Sequence, residues 1–96
     1  MSVEQVRVHL WVSGRVQGVG FRAFVASAAG RMGITGWVRN VGYDTVEALA
    51  EGSRLQVDQF VEMVNLGPRS SRIDERRVEF ETYGAEFTDF QIRSSR

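Results

Sequence analysis

Residues 14–24 read GRVQGVGFRAF. Gly14, Gly18 and Gly20 crowd into this stretch directly ahead of a cation, Arg22. Glycine loses more backbone freedom on folding than any other residue, so such a cluster marks a place where something approaches the backbone closely. The stretch is also a junction between two periodicities. Upstream, residues 6–13 (VRVHLWVS) alternate. Val6, Val8, Leu10 and Val12 point one way and Arg7, His9, Trp11 and Ser13 the other, the pattern of a half-buried strand. Downstream, Phe21, Val25, Ala28 and Met32 recur at helical spacing, and Gly33 follows as a cap.

The remaining elements follow by the same reading. Residues 34–41 (ITGWVRNV) and 45–51 (TVEALAE) are β-type and lie close together, so they form a hairpin around Gly42–Asp44. Ser53 and Gln56 have capping-box spacing at the start of a second helix. Val57, Phe60, Val61 and Val64 make its buried stripe, and Gly67-Pro68 stops it. RSSRIDE reads as a polar connection. Residues 76–83 alternate again with Val78 and Phe80 inward, and DFQIR supplies a short last strand with Phe90 and Ile92 on one side. The order is an α+β, ferredoxin-like split βαβ (βαββαβ) sandwich. An antiparallel sheet carries two helices on one face, with a short fifth strand and an open opposite face.

Ninety-six residues with 43% hydrophobic content predict one domain spanning residues 1–96. No apolar run approaches the roughly 20 residues of a membrane helix, and the opening MSVEQVRVHL lacks the pattern of a signal peptide. With no cysteine in the chain, disulfides and thiolate metal sites are excluded. A cytoplasmic protein without metal or other cofactor is expected. The net charge of zero argues against a general nucleic-acid binder. All 12 basic residues are arginine, so any anion site must use the planar guanidinium fork, which suits phosphate oxygens.

A glycine-rich loop feeding a helix N-terminus can curl its N–H groups around an anion, and Arg22 at the helix start reaches the same place. The loop lacks the lysine and Ser/Thr of a Walker sequence and is not GxGxxG. Read from spacing alone, it fits a plain strand-to-helix turn with a solvated arginine equally well.

The combination GRVQGVGFR, GITGWVRN at 33–40, VEALAEG at 46–52 and EFTDFQIR near the end resembles the acylphosphatase family over nearly the whole chain. That resemblance implies a metal-free hydrolase that cleaves acyl phosphates to a carboxylate and inorganic phosphate. It implies phosphate binding by Arg22 and by the loop Arg15, Val16, Gln17, Gly18, Val19 and Gly20 through backbone N–H groups. It also implies that Asn40 positions the attacking water. Arg22 and Asn40 are then the catalytic residues. The implied partners are a small acyl phosphate and inorganic phosphate as product and competitor, with no nucleic acid and no membrane. Family members commonly turn the hairpin after the asparagine with Asp-Gly; here NVGYDTVE puts Tyr43 and Asp44 in those places.

The other chemistry-bearing residues read as structural. His9 is assigned to the sheet face, Trp11 and Trp37 to packing, and Arg39 to the face opposite Asn40. Glu47, Glu51, Glu79 and Glu81 read as a solvated face. An RNA-recognition sheet would need stacking aromatics on that face, and its carboxylates repel RNA. The acylphosphatase-like portion of hydrogenase-maturation proteins belongs to much longer chains with cysteine-rich segments, unlike this one. Charged edge strands predict a monomer.

Overall fold

A computed structural model describes residues 3–96; Met1 and Ser2 lie outside the described residues. The chain runs β1 (Gln5–Arg15), α1 (Phe21–Met32), β2 (Thr35–Val41), β3 (Thr45–Ser53), α2 (Arg54–Leu66), β4 (Arg72–Glu81) and β5 (Phe90–Ile92). The strands form one sheet in the order β4-β1-β3-β2-β5, with the helices packed on one face. This is the expected α+β ferredoxin-like arrangement.

Strand alternation builds the core. Val6, Val8, Leu10 and Val12 of β1, Val38 of β2, and Val46, Ala48 and Ala50 of β3 share one face of the sheet. They are buried with Phe21, Val25 and Ala29 of α1 and with Val57, Phe60 and Val64 of α2. Val61 packs against this core while only partly buried. The expected caps form. The Ser53 hydroxyl accepts from the Gln56 N–H at 3.2 Å, and Gln56 Oε1 accepts from the Ser53 N–H at 3.4 Å. Gly33 ends α1 in a left-handed conformation.

The structure corrects several expectations. β4 begins at Arg72 rather than at residue 76, because Arg72–Glu75 continue the ladder with β1 across a bulge at Ser13/Gly14. An outer strand has little need of an apolar face, so its polar composition concealed it. Val78 and Phe80 lie opposite Leu10 and Val8, yet they remain 38% and 47% exposed. At the sheet edge, Phe80 is covered by the Arg54 guanidinium, 4.6 Å from its ring centre. β5 pairs in parallel with β2, so the sheet is mixed rather than antiparallel throughout. Phe90 packs on the core, edge-on to Phe60 at 5.9 Å, while Ile92 stays half exposed.

The face opposite the helices is not open, and two of its carboxylates are not solvated. Glu47 and Glu51 are only 7% and 2% exposed. β3 is a central strand, and the connection after β4 folds back over its end. Glu51 Oε2 accepts from Arg7 Nε at 3.0 Å and from the Gly84 N–H at 3.0 Å, and Oε1 accepts from the Glu86 N–H at 3.0 Å. Arg7 also donates to Glu86 at 2.8 Å. Burial by itself would raise the Glu51 carboxyl. The Gly84 amide, the Arg7 guanidinium and the Glu86 amide outweigh it and hold the group below its ordinary value. Glu79 and Glu81 are exposed, as expected.

A carboxyl depressed in the folded state stabilises the fold above its unfolded value of about 4.3 and loses that contribution as pH falls through the lower folded value. Glu51→Gln keeps the shape but removes the charge-assisted acceptor. We expect urea denaturation at pH 7 to show a loss of about 1–3 kcal/mol. The variant should also show a shallower decline in stability than the parent below about pH 4.3.

Candidate active site

β1 delivers the chain to one end of the sheet, and α1 leaves from the same end. Residues 16–20 turn between them. The glycines there divide by physical role. Gly14 has φ 134°, and a Cβ on it would stand 2.4 Å from the Arg72 carbonyl oxygen, so it is needed for the close approach of β4 at the bulge. Gly18 and Gly20 have φ 72° and 77°, and a Cβ on either would meet nothing within 4 Å. Their demand is conformational: left-handed backbone turns the chain into α1 and leaves the surrounding space open.

That space is a cleft of about 260 Å³ lined by Val16, Gln17, Gly18, Gly20, Phe21, Arg22, Ala23, Asn40 and Ile92. The first intrahelical bond of α1 is from the Phe24 N–H to the Gly20 carbonyl. The preceding N–H groups, those of Phe21, Arg22 and Ala23, therefore have no intrahelical acceptor. Gly20 supplies no side-chain cap, and no acidic residue lies in the first turn. The partial positive charge of the helix end is thus left uncompensated at the cleft.

Asn40 reaches the same cleft from β2. It pairs with Val46, as Val38 pairs with Ala48, so both side chains lie on the helix side of the sheet. Arg39 faces the opposite way, as expected. Its Nε donates to Glu47 at 2.7 Å, and its guanidinium lies 4.6 Å from the Trp37 ring centre. Glu47 also meets His9 Nε2 at 2.6 Å. Burial would raise the Glu47 carboxyl, but Arg39 and His9 outweigh it and lower it. His9 in turn stacks on Trp11 with ring centres 3.8 Å apart. His9, Trp11 and Trp37 therefore belong to a packed polar layer on the far face.

Of the residues assigned to the loop, Val16, Gln17, Gly18, Gly20 and Arg22 line the cleft with Asn40. Arg15 is exposed and lines the neighbouring groove with Tyr43, Asp44 and Arg72, and Val19 packs against the core. Ile92 joins the cleft although the sequence reading did not place it there. Its parity with Phe90 was legible, but the parallel pairing of β5 beside β2, which brings it alongside Val38, was not. Among the described residues no cluster of three or more His, Cys, Asp or Glu side chains is placed to hold a metal ion, and no helix is long and apolar enough to cross a membrane.

Residues 8–92 match the acylphosphatase family model. The chain belongs to the acylphosphatase family. An acylphosphatase of Pyrobaculum islandicum is 45% identical over 91 residues, covering 94% of this chain and 96% of that protein. The crystal structure of acylphosphatase from Bacillus subtilis superposes with a TM-score of 0.87 at 36% identity, covering 92% of this chain and 98% of that one. Full-length HypF in its phosphate- and nucleotide-bound form matches with the same TM-score of 0.87 at 29% identity, but the match covers 13% of that longer chain.

The division among the glycines has a measurable consequence. Gly20→Ala should lower stability by about 1–2 kcal/mol, the ordinary penalty of a left-handed L-residue, since the added methyl meets open space. Gly14→Ala should cost more, because its Cβ meets the backbone of β4. Denaturation of the two variants under identical conditions gives the ranking.

Proposed function

We propose that this chain hydrolyses acyl phosphates to a carboxylate and inorganic phosphate without a metal. Family membership supports the reaction class. The observation that carries the site assignment is the convergence of Arg22, the uncapped N-terminus of α1 and Asn40 on one cleft. Residues 1–96 act on this reading as one domain, a cytoplasmic monomer whose ligands are small phosphates.

The phosphoryl group sits against the loop backbone from Arg15 to Gly20 and the first turn of α1. The N–H groups donate to its oxygens, and the Arg22 fork adds a charge-assisted pair. An acyl phosphate is an anhydride with a good leaving group, so positioning and charge stabilisation supply most of what catalysis requires. The Asn40 amide holds a water by hydrogen bonding. Attack of that water on phosphorus breaks the bond to the acyl oxygen. The carboxylate leaves with the electron pair, and the water's proton passes to a phosphate oxygen. Among the described residues no carboxylate side chain lines the cleft, so the incoming anion meets no like charge from its walls.

Release of phosphate from benzoyl phosphate by the purified protein, unchanged after exhaustive chelation, is the primary test. Loss of activity restored by magnesium would overturn the metal-free reading. Arg22→Gln should lose turnover and most affinity for inorganic phosphate, and Arg22→Lys should recover only part, since a point charge lacks the fork. Asn40→Ala should bind phosphate as the parent does and turn over about a hundred- to a thousandfold more slowly. Asn40→Asp should also fail, because an ionised carboxylate repels the phosphoryl oxygens. Arg39→Ala serves as the control: it removes a partner of buried Glu47 and so costs stability, while turnover per folded molecule changes little.

A further inference from the structure

The Gln17 side chain, at the edge of the cleft, is bonded to the β2–β3 turn. Its Nε2 lies 2.9 Å from the Thr45 carbonyl, 3.1 Å from that of Gly42 and 3.4 Å from that of Val41. All are acceptors, so only the NH₂ end of the amide fits there. Val41 directly follows Asn40, and the three carbonyls enclose the β2–β3 turn. Two further bonds join that turn to β1. The Gly14 N–H donates to the Asp44 carbonyl at 2.9 Å, and the Ser13 and Thr45 hydroxyls lie 3.0 Å apart. Of the side chains in these bonds, Gln17 alone comes from the connection that lines the cleft. The turn has no apolar anchor of its own, since Tyr43 at its tip is 88% exposed.

We propose that Gln17 is a positioning residue whose side chain sets the separation between the phosphate-binding loop and Asn40. This rests on the hydrolytic reading above. The two halves of the site are carried by different elements, the loop with α1 on one side and the end of β2 on the other. Gln17 spans them. A misplacement of about 1 Å between reacting groups costs on the order of a hundredfold in rate. Phosphate affinity needs only the loop, α1 and Arg22. Loss of the Gln17 amide should therefore slow the chemical step and spare binding.

The test compares Gln17→Ala and Gln17→Glu with the parent, using benzoyl phosphate as substrate and inorganic phosphate as competitor. Gln17→Ala should lower kcat by about ten- to a hundredfold, with the inhibition constant of phosphate changed by less than about threefold. Gln17→Glu has the same shape, but its carboxylate has no proton to donate. It should be at least as slow as Gln17→Ala at pH 7. Its kcat relative to the parent should rise as pH falls, because the surrounding carbonyl acceptors favour the protonated carboxyl, which regains a donor above the ordinary value of about 4.3. Hydrogen exchange at the Gly14 amide should be faster in Gln17→Ala than in the parent, with exchange at the centre of β1 and β3 unchanged. Parental kcat for Gln17→Glu at pH 7 would overturn the proposal, and so would a loss of phosphate affinity matching the loss of kcat. If the parent itself shows no turnover, the hydrolytic reading fails. Exchange at Gly14 then tests the clamp separately, and unchanged exchange would overturn it.

Discussion

Burial of Val38 decides where Asn40 points. Val38 is fully buried between the sheet and the helices, and side chains on a strand alternate with period two. Asn40 must therefore face the helix side, where α1 begins. A slip of one residue would carry Arg39 into the core in place of Val38. It would strip the guanidinium of Glu47, and an unpaired buried charge costs several kcal/mol. The polar end of β2 is thus aimed by the apolar residue two positions before it. The same logic runs through β3, where Val46 opposite Asn40 lies on the helix side and Glu47 on the other.

The chain is neutral overall, yet its charges are sorted by face. The carboxylates of β3 lie on the side away from the helices, each held by arginine: Glu47 by Arg39 and Glu51 by Arg7. The cleft side has the helix N-terminus and Arg22, and among the described residues no carboxylate side chain lines it. Net charge therefore understates the field at the cleft, since screening by water and salt is weaker in a partly enclosed site than on an open surface. The far-face network also ties down the connection from β4 to β5 through the Gly84 and Glu86 amides. That connection leads into β5, which places Ile92 at the cleft.

The loop is held from both sides. Gly14 lets β4 approach the end of β1, and the Gln17 amide reaches the β2–β3 turn. Beyond these attachments, on the way into α1, Gly18 and Gly20 adopt left-handed backbone with open space around them. Open backbone at the turn is thus combined with fixed flanks: the β4 contact holds the end of β1, and the Gln17 contact holds the β2–β3 turn.

Much of this was determined locally. The alternation of VRVHLWVS, the helical spacing after Phe21, the Ser53–Gln56 capping box and the position of Asn40 two residues after Val38 depend on near neighbours in the chain, and each appears as read. The loop motif and its order relative to GWVRN were enough to bring out the family. What required the tertiary structure concerns partners distant in sequence. Glu47 and Glu51 look solvated in an alternating strand, and only the pairing of β3 between β1 and β2, with residues 84–86 folded over its end, buries them. Val78 and Phe80 have the parity of core residues, but their place on the outer strand leaves them exposed. Gly14 looks like one more member of the glycine cluster until β4 is seen against it, and Gln17 like one more loop residue until the hairpin carbonyls come within reach. Periodicity specifies which face a side chain occupies, whereas burial and hydrogen-bond partnership depend on what the rest of the chain brings against that face.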